Sequence, residues 1–151
     1  MSSEMREAME IVATRILEDA AFLFTEDASD AGARFGSGWV PSGAQLRWEG
    51  PSCGTMRVWA DPSLLPVLAA NMLGIDEDDP DALAKGADAL REILNMVVGN
   101  SLTEAWGPGP VFRLDIPCDI DPADFATDLD DGLWVVAEGR PVLFWCAGEE
   151  S

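Results

Sequence analysis

Asp88, Glu92, Asn95 and Gly99 recur at helical spacing. At 100° per residue they fall within about 60° of arc. Leu90, Ile93, Leu94 and Val97 fall on the opposite, core-facing side. An acid, an amide and a glycine are thus displayed together on one rigid element. The chemistry open to them is positioning. An amide both donates to and accepts from a water. A carboxylate can pair with a lysine and fix a docking register. Gly99 is the costly choice, about 1 kcal/mol worse than alanine inside a helix. It is justified where something approaches the backbone closely. Lys85 and Arg91 flank the stripe at about ±60°, a modest basic border. A merely solvated helix also shows an outward polar face, so spacing alone leaves both readings open.

Composition excludes much else. Among 151 residues, 28 acids against 9 bases give a net charge of −19. That rules out a basic footprint for nucleic acid or an anionic membrane. The chain has no histidine, which removes Ser-His-Asp and Cys-His catalysis and histidine-liganded zinc. Cys53, Cys118 and Cys146 are odd in number and form no Cys-x-x-Cys, so they read as buried or idle thiols. Asp128-Leu-Asp-Asp131-Gly132 fails the EF-hand spacing and reads as a solvated acidic loop. Gly36-Ser-Gly38 and Gly107-Pro-Gly-Pro110 lack the Lys-Ser/Thr of a phosphate cradle, and Pro108 and Pro110 lack amide donors. No metal site is expected. The six tryptophans suit core and interface anchors. No apolar run approaches the roughly 18 residues of a membrane span, and the acidic N-terminus has no signal-peptide pattern. A cytoplasmic protein is expected.

The elements that must hold the stripe can be read from periodicity and turn chemistry. Met5, Met9, Val12, Ile16, Ala20 and Leu23 predict a long first helix over residues 4–24. Residues 25–38 read as a loop or irregular edge. Alternation over 43–48 and 55–59 predicts a β-hairpin. Asp61 and Pro62 open a helix that runs to about Leu73 and stops at Gly74. A charged linker, Asp76–Pro80, leads into the motif helix, about 80–106, which Gly107-Pro108 ends. Val111–Ile116 reads as a strand. Leu133–Ala137 and Val142–Cys146 form a second hairpin about Glu138-Gly-Arg-Pro141. Two rounds of long helix followed by strands predict one pseudo-duplicated α+β domain over residues 1–151. Its long helices pack on a mainly antiparallel sheet.

Asp88-x3-Glu92-x2-Asn95, followed by Gly99-Asn100, resembles the signature of the bacterial chemotaxis phosphatases CheC and CheX. Pro117 matches the family's later proline, one residue short of the usual spacing. The segments 94–100, 110–117 and 16–25 are similar to CheX-type domains, so the resemblance spans most of the chain. It implies a phosphatase acting on the aspartyl phosphate of a CheY-like response-regulator receiver. Asn95 would orient the attacking water and Glu92 would pair with the receiver's lysine. Asp88, Arg91 and Gly99 would serve partner binding. The resemblance implies no cofactor in this chain; the Mg2+ belongs to the receiver. In the first helix the best frame is Thr14-x3-Glu18-x2-Ala21, with alanine where asparagine should stand. That leaves one active face, the CheX-like arrangement, and CheX-type pairing implies a homodimer. Two alternatives stay open: a CheX-like domain that binds a receiver without hydrolysis, and a scaffold whose stripe is only solvated.

Overall fold

A computed structural model describes residues 3–26, 28, 30, 31, 38–128 and 131–149. Helix α1 (Ser3–Asp19) buries Met5, Met9, Val12, Ala13, Ile16 and Leu17 along one stripe. It stops at Asp19 rather than near residue 24. The Leu23 amide donates to the Leu17 carbonyl at 3.0 Å. Phe22 takes a φ of +55°. This is the closure that glycine usually provides, made here by a phenylalanine.

Seven antiparallel strands form one sheet: β1 (Thr25–Glu26), β2 (Ser42–Glu49), β3 (Cys53–Ala60), β4 (Arg113–Leu114), β5 (Cys118–Ile120), β6 (Leu133–Ala137) and β7 (Arg140–Glu149). Their order is β1-β6-β7-β3-β2-β4, with β5 also on β2. Exchanging β1 for β4, β2 for β6 and β3 for β7 reverses this order onto itself. The expected pseudo-duplication is therefore present in the topology. Its seam is the β3–β7 pair, in register from Cys53↔Glu149 to Ala60↔Val142. The second hairpin turns on two residues, Glu138 (φ 51°) and Gly139 (φ 74°). Two positive φ values match the right-handed strand twist, so β7 begins at Arg140, earlier than expected. The strand expected over 111–116 contracts to β4, and β5 is a further strand.

Between the halves, Asp61 caps a 3-10 turn (Pro62–Leu64) that leads into α2 (Leu65–Leu73). Gly74, at φ 71°, ends α2 as expected. The helix expected over 80–106 is two: α3 (Pro80–Ala84) and α4 (Gly86–Trp106), broken at Lys85.

One face of the sheet carries the main core. Leu46, Trp48, Met56, Val58, Phe144 and Cys146 meet the apolar faces of α1, α2 and α4 there. Burial pushes the Cys146 thiol up to about 11. Cys118 is exposed, Cys53 is half-buried, and all three are free thiols. The opposite face holds Trp59 and Leu143 against Phe125, with Trp39, Ile120 and Trp134 around them. Phe125 opens the short α5 (Phe125–Asp128).

Asp128 corrects the expectation of a solvated acidic loop. It is 0% exposed, accepting from Trp59 Nε1 at 2.8 Å and from Arg57 Nη1 at 3.2 Å. Arg57 also donates to Gln45 at 3.2 Å and lies 4.9 Å from the Trp145 ring centroid. A buried carboxylate needs such partners, and two donors of the sheet face, Trp59 and Arg57, take the place of its water. Leu129 and Asp130 of that loop, and Gly36 and Ser37 of the first glycine segment, lie outside the described residues. Among the described residues no cluster of three or more metal-ligating side chains occurs. No helix among them is long and apolar enough to cross a membrane.

Candidate functional site

The site is the outward ridge of α4. Ala89, Leu90, Ile93, Leu94, Val97, Val98 and Leu102 are buried beneath it. They fix the helix's rotation, because turning it would expose that apolar surface to water. Gly86 lets the start of α4 come close to α2. A Cβ there would stand 2.8 Å from Leu65 Cβ, inside contact distance.

Asp88 and Glu92 are exposed, and Asn95 and Gly99 are half-buried. The four stand together as their spacing predicts. They differ in what holds them. Asp88 pairs with Arg91 and, at 3.8 Å, with Lys85. Neither the Glu92 carboxylate nor the Asn95 amide has a side-chain partner among the described residues. Asn100 folds back, its amide donating to the Met96 carbonyl at 2.7 Å. It is not part of the ridge.

Arg91 lines the site, but its guanidinium is committed within the fold. It donates both to Asp88 and to Asp119 on β5. Those carboxylates, Asp119 first, hold the guanidinium pKa above its ordinary value. Arg91 is therefore a brace between the ridge and the sheet edge. The basic border expected from sequence is neutralised: Lys85 and Arg91 both face acids.

Beside Asn95 runs the segment that joins β4 to β5. Pairing of Leu114 with Trp48 holds it, as does the Asp115 amide donating to the Arg47 carbonyl at 2.9 Å. Asp115, Ile116 and Pro117 thereby form the far wall of a groove of about 360 Å³, whose near wall is Glu92 and Asn95. Pro117, singled out by the resemblance, sits opposite those two. Ile116 carried no signal in the sequence. An isoleucine between an acid and a proline looks like the end of a strand, yet it is 90% exposed.

Gly99 is open. A Cβ on it would meet only Leu114 Cδ1, at 3.9 Å, an ordinary contact. The fold itself does not require the glycine. The corresponding frame in α1 cannot form a second ridge. Ala21 is buried, and Glu18 accepts from Thr25.

Among the described residues, the ridge offers an unpartnered carboxylate and an unpartnered amide one turn apart, with no cluster of metal-ligating side chains. Such a pair can orient a water and a cation supplied by another molecule.

Comparison with known proteins bears on the family and the fold. The family model of the chemotaxis phosphatase CheX matches residues 43–136. No curated protein matches. Among solved structures, the CheX of Desulfovibrio desulfuricans is 15% identical, with a TM-score of 0.67 over 97% of this chain and 99% of that one. The CheX of Vibrio vulnificus is 15% identical, with a TM-score of 0.63 over 97% and 100%. A Borrelia burgdorferi structure of CheX with CheY, BeF3 and Mg2+ is 17% identical, with a TM-score of 0.66 over 97% and 98%.

Proposed function

The chain belongs to the chemotaxis phosphatase CheX family, and from that premise we propose that it hydrolyses the aspartyl phosphate of a CheY-like receiver domain. One observation carries the reading: Glu92 and Asn95 stand adjacent on the outer side of a helix whose rotation the core fixes, without partners among the described residues. In the proposed reaction the ridge enters the receiver's phosphorylation site. Glu92 pairs with the receiver's phosphate-contacting lysine and sets the register. Asn95 holds a water in line with phosphorus through its amide. The water oxygen bonds to phosphorus as the bond from phosphorus to the aspartyl oxygen breaks. The aspartate carboxylate is restored, and both protons of the water leave on inorganic phosphate. Positioning and charge neutralisation dominate such transfers, so this chain needs no base of its own. A Mg2+ held by the receiver would neutralise the phosphoryl oxygens; the Borrelia complex of CheX with CheY and BeF3 also contains Mg2+. Asp88 serves by holding Arg91, and Gly99 by admitting the partner's backbone. Arg91 contributes as a brace of the docking face. The family resemblance further supports a homodimer acting in the cytoplasm, and light scattering in solution tests the dimer.

The deciding experiment measures phosphate release from a phosphorylated receiver. Asn95→Ala should lower turnover by about a hundredfold, the scale of a lost positioning group. Its stability should stay within about 0.5 kcal/mol of wild type. Glu92→Lys should bind the receiver more weakly than Glu92→Ala, because it sets like charge against the lysine. Wild-type turnover by Asn95→Ala overturns the assignment. Binding without any accelerated hydrolysis by the wild-type chain favours the non-catalytic receiver-binding domain instead.

A further inference from the structure

The ridge has a groove on each side, and each carries exposed apolar side chains among charged ones. On one side is the groove walled by Ile116 and Pro117. On the other, a groove of about 250 Å³ runs between α2 and α4, walled by Met72 and Leu73. Asp88 and Glu92 line both grooves, so the two are continuous with the candidate site and straddle it. Ile116 is 90% exposed and Leu73 55%. On a chain of net charge −19, large apolar side chains beside an acidic ridge need a reason.

A helix with its side chains is about 10–12 Å across. Any pocket that admits Glu92 and Asn95 must therefore let its rims descend on both sides, into these grooves. Whatever stands on the rims then loses water against Ile116 and Leu73. An apolar rim gains from that burial. An acidic rim residue would lose water against these side chains and stand at like charge to Asp88, Glu92 and Asp115, which rejects the wrong partner.

We infer that Ile116 and Leu73 select the partner: the chain takes a receiver whose phosphorylation site is bordered on both sides by apolar loop residues. This rests on the receiver phosphatase reading above and adds which receiver is chosen. Ile116 and Leu73 are specificity residues and touch no reacting atom.

The test uses the full chain and receiver domains held in the phosphorylated-like state by beryllofluoride and Mg2+. The receiver that the wild-type chain dephosphorylates is found first. Ile116→Asp and Leu73→Asp should each raise its Kd about tenfold or more, about 1.4 kcal/mol. KM should rise with Kd, and kcat at saturating receiver should fall less than twofold. Val111→Asp adds the same charge at a side chain 84% exposed and outside both grooves, and should leave Kd within twofold of wild type. Kd values within twofold for both groove variants overturn the inference and leave the phosphatase reading standing. An equal loss from Val111→Asp also overturns it, since charge alone would then explain the effect. A wild-type chain that dephosphorylates no receiver removes the functional reading and this inference together.

Discussion

Gly99→Ala separates what the fold needs from what a partner needs. In a helix interior, glycine is about 0.8–1.0 kcal/mol worse than alanine. Where the native dihedrals accept alanine, the substitution gains about 0.4–1 kcal/mol, chiefly by restricting the unfolded chain. Position 99 accepts it: α4 is regular there, and the new methyl would meet only Leu114 Cδ1 at 3.9 Å. For a chain of this length each kcal/mol shifts Tm by about 2–4 °C. The free protein should therefore melt roughly 1–4 °C higher. A receiver whose backbone packs against this turn should bind more weakly, because the methyl occupies the space it needs. Thermal unfolding and the Kd for a beryllofluoride-activated receiver are to be measured on the same variant. A higher Tm with unchanged Kd refutes the reading of Gly99 as a contact. A lower Tm refutes the argument that the fold leaves the position open.

Two further outcomes follow from the sheet and its cap. Asp128→Ala removes the carboxylate that accepts from Arg57 Nη1 and from the Trp59 N–H, so it should cost about 3 kcal/mol in urea unfolding. Asp128→Asn keeps an acceptor for Trp59 and should cost less; equal costs would contradict the hydrogen-bond account. Asp61 sits half-buried at the cap of the 3-10 turn. Burial pulls its pKa up, but bonds from Ser63 and Trp39 outweigh it and hold it below the ordinary value. A depressed carboxyl pKa stabilises fully above the unfolded value of about 3.9, and the benefit is lost as pH falls through the folded value. Asp61→Asn should accordingly flatten the stability–pH curve below about pH 4. An unchanged acid slope would show that Asp61 is not its source.

The stripe on α4 was legible because helical spacing alone fixes which side chains share a face. Asp61, Pro62 and Gly74 marked their boundaries for the same local reasons: a cap oxygen, a fixed φ, a left-handed φ. Other features depend on distant contacts. Phe22 ends α1 in a conformation that its Cβ disfavours, so nothing in its identity announces a stop. The strand β5 is three residues, Cys118–Ile120, too short for a period, and exists because β2 is there to pair with it. The same holds for Arg91. Its spacing placed it beside the stripe, but its commitment to Asp119 depends on the pairing of β5 with β2. The close approach of α2 and α4 at Gly86 depends on Leu65, which a Cβ at position 86 would meet. Local chemistry showed which residues the ridge displays, and only the tertiary fold showed which of them are unpartnered.

The reversed strand order has a consequence for how the ridge comes into being. Its seam joins residues roughly ninety positions apart, such as Met56 and Cys146. During synthesis α4 is complete before β6 and β7 exist, and it meets α1, α2, β2 and β3, which precede it. Strands β2 and β3 cannot be covered on that flank until the last hairpin enters the middle of the sheet. Long-range pairing of this kind makes folding slow and concerted. The ridge helix is thus seated on elements that precede it in the chain, whereas the middle of the sheet is closed only by the last hairpin.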